Sequence, residues 1–252
     1  MSSILVSITS YQPHKENFLK KIIKEYIESY SCDNKITFIL SVNYPLEINY
    51  PNIIFLNKKY EGWEYCWNNK EWIFNNYQNY DYIIESDDDV LIKRSNYDYY
   101  VEATNFIKEN ISLPHKYIIG FGIGEYDANK ILKIINIPIN TSMFFNLLTI
   151  KNRLFGIPNF CHSAGFIIDK KRYGLAIKNG IDIYPSKVLP SKKKNYSIGE
   201  WARTNIYVDG GFTKIIDISQ LDVNSSFIHL PNKYVNIRYF PEASNIKNQY
   251  TT

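Results

Sequence analysis

Glu85, Asp87, Asp88 and Asp89 crowd together in the stretch ESDDD, directly after the apolar run YDYII. Like charges this close repel one another and are costly to bury unless positive charge accompanies them. A divalent cation is one source of that charge. Mg²⁺ and Mn²⁺ both accept carboxylate, phosphate and water oxygens and keep coordination positions for a ligand's diphosphate. While the segment stays extended, Asp87 and Asp89 point to one side and Asp88 to the other, because strand side chains alternate. A turn that begins at once removes that rule. The plain alternative is a solvated acidic loop in front of a helix that starts near Asn96.

The elements around this stretch follow from the hydrophobic pattern. Ile4 to Thr9 reads as a strand, and SYQPHKE turns the chain into a helix over about residues 14–30. Phe18, Ile22, Ile23, Tyr26, Ile27 and Tyr30 recur there at three- and four-residue steps and form its apolar face. KITFILSV and NIIFLN are the next strands, and a second helix is predicted from about Trp63 to Tyr77 before the strand YDYIIES. Alternating strands and helices predict an α/β fold with a mostly parallel central sheet, and such sheets bind ligands beyond the carboxyl ends of their strands. The aspartates lie at that kind of edge. A helix from about Asn96 to Glu109 and the strand KYIIGFG come next, whereas residues 122–160 fit a short helix, strands of a small second sheet, or a lid. CHSAGFIIDKKRYGLAIKNG predicts a turn, a strand and a helix. IGEWARTNIYV reads as a short helix, and FTKIIDIS and SSFIHLPN close the chain. We expect one domain over residues 1–252, with a ligand-binding part to about residue 121 and the remainder completing the site.

A chain of 252 residues with 45% apolar content is ample for a core without staples. Its net charge of +4, mixed in sign along the chain, argues against a nucleic-acid wrapper. Three separated cysteines, Cys32, Cys66 and Cys161, make neither a disulfide framework nor a paired CxxC metal site. The start MSSILVSITSYQPHKENF lacks a basic signal region, and no run of 18 apolar residues occurs. These features lead us to expect a soluble, cytoplasmic protein with no integral membrane segment.

The strand-then-DxD arrangement YIIESDDDV resembles the metal-dependent, nucleotide-sugar-using glycosyltransferases of the GT-A fold. That resemblance implies a Rossmann-like sheet flanked by helices and a UDP-sugar donor held with Mn²⁺ or Mg²⁺. By the same resemblance, Asp87 lies near the donor ribose or base and joins Asp89 at the metal, and Asp88 assists either role. In ITSY, it implies that Thr9 donates to the base, Ser10 lines the donor and Tyr11 stacks on it. In EGWEYCWNNKEW, Asn68 is the donor-site candidate, while Trp63 and Trp67, four residues apart, fit a buried helix face better. Family members often bring back a C-terminal histidine as a second metal ligand, which makes His229 the candidate. Neutral imidazole can fill that role without unusual protonation.

An inverting transfer needs a carboxylate to take the acceptor's proton. YSIGEWAR resembles the family site for that base but has Gly199-Glu200 where an acidic pair is usual, leaving Glu200 as the candidate. Asp127 in GEYDANK is the second choice, as an acceptor-binding residue. FCHSAGFIIDKKRY resembles the floor between donor and acceptor, with His162 and Ser163 as acceptor contacts and Gly165 letting the backbone approach the sugar. Lys192, Lys193 and Lys194 fit a solvated loop and also a lid over diphosphate. The acceptor implied is a saccharide or glycan, with no nucleic-acid partner. Three rivals stand beside this reading. An aspartyl phosphotransferase usually carries its motif at the first strand, and a nucleotidyltransferase usually shows a Gly-rich basic loop that ITSYQPHKENF lacks. A noncatalytic carbohydrate-binding protein would stack sugars on its many aromatic residues and hold a structural ion.

Overall fold

A computed structural model of the chain describes residues 1–10, 12–57, 59–61, 64–135, 144–158, 164–185, 198–231, 233–235 and 241–251. In chain order the strands and helices are β1 (Ser2–Ser10), α1 (Glu16–Ser29), β2 (Asn34–Val42), β3 (Ile53–Phe55), α2 (Cys66–Asn76) and β4 (Tyr82–Asp87). Then come β5 (Val90–Leu91), α3 (Arg94–Asn110), β6 (Tyr117–Ile119), β7 (Gly122–Tyr126), β8 (Leu132–Ile134), β9 (Phe144–Ile150) and β10 (Arg153–Pro158). The rest are β11 (Gly165–Asp169), α4 (Lys170–Lys178), α5 (Ile198–Val208), β12 (Thr213–Asp217), β13 (Ser226–His229) and α6 (Ala243–Thr251). The chain is α/β, as its pattern predicts.

It divides into two compact units, one of Met1–Asp89 with His162–Gly211 and one of Val90–Cys161 with Phe212–Thr252. The division is therefore not a single cut near residue 121. Strand pairing explains why, since β11 returns late in the chain to pair with β4, while β12 and β13 return to pair with β6 and β7.

The first unit holds a five-stranded sheet in the order β11-β4-β1-β2-β3, parallel except for the β4–β11 pair. The central β1 is apolar without alternation, with Ile4, Leu5, Val6 and Ile8 fully buried, as a strand covered on both faces requires. In α1 the buried face is Leu19, Ile22, Ile23 and Tyr26, followed by Tyr30. Leu19 takes the place expected for Phe18, and Phe18 and Ile27 are only half-buried at the margin. Helix α2 packs on α5 through Cys66, Trp67, Trp201 and Ala202. Each fully buried tryptophan removes roughly 150–250 Å² from water, an upper estimate of about 4–6 kcal/mol.

The second unit holds two four-stranded sheets, β6-β12-β10-β9 and β5-β13-β7-β8. Ile134, Ile216, Ile218 and Leu221 pack with Ala243 and Ile246 of α6 to form a core cluster. The described part of the ambiguous stretch 122–160 is thus strands, and KYIIGFG is split between β6 and β7. At the start of α3, the Asn96 side chain accepts from the Lys93 backbone N–H at 2.7 Å. It also donates to the carbonyls of Val223, Asn224 and Ser226 at 3.1, 2.6 and 3.1 Å. The helix therefore starts two residues before the anticipated Asn96, whose side chain closes its first turn and anchors the chain leading into β13. Among the described residues, no helix is long and apolar enough to cross a membrane.

Candidate functional site

Strand β4 ends at Asp87, and Asp88 and Asp89 form a turn at once. The two-residue alternation therefore stops before Asp89. Asp88 and Asp89, rather than Asp87 and Asp89, converge on a common partner, the ammonium of Lys15. Its Nζ lies 3.2 Å from Asp88 Oδ1 and 2.8 Å from Asp89 Oδ2. Asp88 is fixed from its other oxygen as well. The Ser10 hydroxyl, at the carboxyl end of β1, donates to Asp88 Oδ2 at 2.6 Å and accepts from the Tyr44 hydroxyl at 2.6 Å. Burial pushes the Asp88 carboxyl up to about 6, against the Ser10 hydrogen bond and the Lys15 charge, which pull it down. Burial also works against the Lys15 charge. The Asp89 hydrogen bond and the charges of Asp88 and Asp89 outweigh it, leaving Lys15 a weaker acid than an ordinary lysine.

Asp87 turns to a different cation. Arg203 Nη1 of α5 lies 2.7 Å from Asp87 Oδ1, and its Nε lies 3.2 Å from Oε1 of the buried Glu85 without the alignment of a hydrogen bond. Coulombic attraction still acts at that distance. Burial raises Glu85, while Arg203 and Lys70 pull it down. For Arg203, burial opposes the charge but Asp87 and Glu85 prevail and raise its pKa. Beneath this pair, Lys70 of α2 donates to the carbonyl of Ala202 and to Asn205 Oδ1. Burial lowers Lys70 to about 8, with Glu85 acting in the opposite direction.

Lys15 and Arg203 thus supply the positive charge that the crowded carboxylates demand within the first unit. Neither is conspicuous in the sequence. The only signal pointing to them is the charge imbalance itself, which does not name a partner 74 positions away, as Lys15 is from Asp89. Asn69 is a further residue the pattern hides. It donates to Ser7 Oγ and the Ile8 carbonyl at 3.0 Å and accepts from Ser41 Oγ at 2.5 Å, tying the ends of β1 and β2 together beneath Ser10.

No protein-family model and no curated protein matches the chain.

The other anticipated residues fall in several places. Thr9 is buried next to Ser10, and its Oγ1 accepts from Asn69 at 3.3 Å. Asn68 is buried, its Oδ1 accepting from the backbone N–H groups of Lys59 and Tyr60 and its Nδ2 donating to the Tyr65 carbonyl. This side chain shapes its own loop. Gly165 opens β11 opposite Ser86, and the preceding Ala164 carbonyl accepts from the Asp87 N–H at 3.1 Å, placing that backbone beside the aspartate turn. Glu200 is the third residue of α5, one turn before Arg203. Tyr11, Trp63, His162, Ser163 and Lys192 to Lys194 lie outside the described residues. Trp67 is wholly buried, as a core residue should be.

Asp127 and His229 belong to the second unit. Asp127 Oδ1 accepts from the N–H groups of Asn129 and Ile131, both at 2.9 Å, the local turn bonding that aspartates favour. Those bonds, the Ile131 one first, hold its carboxyl below the usual range. His229 ends β13, and its Nδ1–H faces Glu125 Oε1 at 2.5 Å. Glu125 Oε2 accepts from the N–H groups of Tyr234 and Val235. A carboxylate at Nδ1 is the arrangement that fixes a histidine's tautomer, and makes Nε2 the nitrogen any coordination would use.

Proposed function

We propose that the chain is a metal-dependent glycosyltransferase that moves a sugar from a nucleoside-diphosphate sugar, with UDP-sugars as the donor class, to a hydroxyl of a glycan or similar acceptor. One observation carries the reading: two adjacent carboxylates, Asp88 and Asp89, converge on a single cation position at the carboxyl end of a mostly parallel sheet. Among the described residues no group of three or more His, Cys, Asp or Glu side chains is disposed to hold a metal. The donor set nevertheless fits Mg²⁺ or Mn²⁺, which commonly take one or two protein carboxylates and complete their shell with phosphate and water. Asp88 and Asp89 would hold that ion, which when bound stabilises the diphosphate leaving group electrostatically.

The chain's own residues do the rest of the proposed work. Ser10 and Tyr44 fix the Asp88 carboxylate, and Asn69 fixes the strand ends that present Ser10. Arg203 ties the first turns of α5 to β4 through Asp87, so that Glu200 is carried on a helix anchored to the aspartate strand. Glu200 is the proposed base for the acceptor hydroxyl.

Thermal-shift measurements with UDP, GDP, CDP and their sugar conjugates, in Mn²⁺, Mg²⁺ or chelator, test the reading. UDP should stabilise the protein only with metal, by about 2.7 kcal/mol at 100 times its Kd. No nucleotide response under any metal rejects the proposal in favour of a noncatalytic sugar-binding protein. Once a donor is found, Glu200→Gln should slow sugar release to acceptors by about 10²–10⁴-fold while leaving nucleotide affinity unchanged. Equal rates for Glu200→Gln and the wild type remove Glu200 from the chemistry.

A further inference from the structure

We propose that Lys15 is a built-in occupant of the cation position between Asp88 and Asp89, so that a divalent cation enters only as the Lys15 ammonium leaves. The inference rests on the reading of the aspartate turn as a metal-assisted donor site and describes how that site is regulated. Lys15 Nζ is within 3.2 Å of one carboxylate and 2.8 Å of the other, and those two side chains are only 5% and 8% exposed. A divalent ion ligated by the same oxygens at about 2.0–2.2 Å would sit within a few ångströms of the ammonium, where two cations repel strongly.

Lys15 is built to move. It closes a short 3-10 turn, Pro13–Lys15, that leads into α1, and its side chain is 20% exposed. A flexible four-carbon stem lets its head swing into solvent while its backbone stays in place. The displaced ammonium would remain close to the cation's own ligands, where the phosphates of a nucleotide would meet it. Metal alone should then bind weakly, and metal with nucleotide should bind cooperatively, because the nucleotide offers Lys15 a new anionic partner.

The decisive variant is Lys15→Met, which keeps the stem and removes the charge. Mn²⁺ is titrated without nucleotide, and the free ion is followed by its electron paramagnetic resonance signal. The expected result is binding about tenfold tighter than in the wild type, as removing a close competing charge predicts. Lys15→Arg, which keeps the charge, should bind Mn²⁺ as weakly as the wild type. Adding Asp89→Asn to Lys15→Met should abolish the gain, tying it to this turn.

Stability supplies a second readout. Without metal, Lys15→Met leaves two carboxylates facing each other and should melt below the wild type, with Mn²⁺ restoring more stability to the variant than to the wild type. Lys15→Gln serves the same purpose if the methionine variant does not fold. Mn²⁺ affinity that is unchanged or weaker in the neutral variants, or a gain that survives Asp89→Asn, overturns the proposal. UDP is added in a separate arm. Tighter Mn²⁺ binding with no UDP response in any variant supports the exchange and rejects the donor reading instead.

Discussion

Arg203→Met is expected to destabilise the first unit by about 3–5 kcal/mol, the usual consequence of removing one partner from a buried ion pair. The loss comes mainly from what stays behind. Glu85 is 1% exposed and would be left, among the described residues, with Lys70 as the cation acting on it, and Asp87 would lose the guanidinium 2.7 Å away. Among the described residues the tryptophans, Trp67, Trp72 and Trp201, all belong to the first unit, so tryptophan fluorescence in a urea titration follows this transition.

The loss should also depend on pH in a definite direction. Burial already raises Glu85, and removing Arg203 raises it further. An acid whose folded pKa lies above its unfolded value contributes stability that is present below the unfolded pKa and lost as pH rises through the folded one. The gap between variant and wild type should therefore be widest at neutral pH and shrink toward the ordinary glutamate pKa. Glu85→Gln combined with Arg203→Met should recover most of the loss. A gap independent of pH, or no rescue by the double change, would show that Arg203 acts through packing rather than charge.

Asp89→Ala is expected to abolish metal-dependent nucleotide binding, a loss of more than about 100-fold. Removing a residue that merely supports a metal ligand already costs about 10–100-fold, so loss of a ligand should cost more. Calorimetric titration of UDP at fixed Mn²⁺ measures it. Asp87→Asn is the informative comparison, because Asp87 faces Arg203 whereas Asp89 faces Lys15. Its main effect should be lower stability with metal dependence retained. Full metal-dependent binding by Asp89→Ala removes Asp89 from the ligand set, and equal losses in both variants would restore the strand-alternation view in which Asp87 and Asp89 act together.

Much of the first unit was legible because its elements are locally encoded. The apolar cluster of β1, broken only at Ser7, marked a strand, and three- and four-residue spacing placed α1 to within a residue or two. In α2 the pattern was less informative, because residues 65–70 are all buried whether apolar or not. Asn69 and Lys70 are tolerated there only through hydrogen bonds to distant groups, so their polarity misleads a periodicity argument. The interleaving of the two units was hidden for a similar reason: nothing local tells β11 to pair with β4 rather than with a neighbour in sequence.

The sequence by itself determined the α/β class, the mostly parallel sheet and the placement of clustered carboxylates at the end of one of its strands. These depend on hydrophobic period and chain punctuation, which act over a few residues. Only the tertiary structure decided which aspartates act together and which cations answer them. A turn starting after Asp87 cancels the alternation rule and pairs Asp88 with Asp89. Charge neutralisation is a matter of distance in space, so Lys15 and Arg203, remote in the chain, become the counter-ions of neighbouring carboxylates.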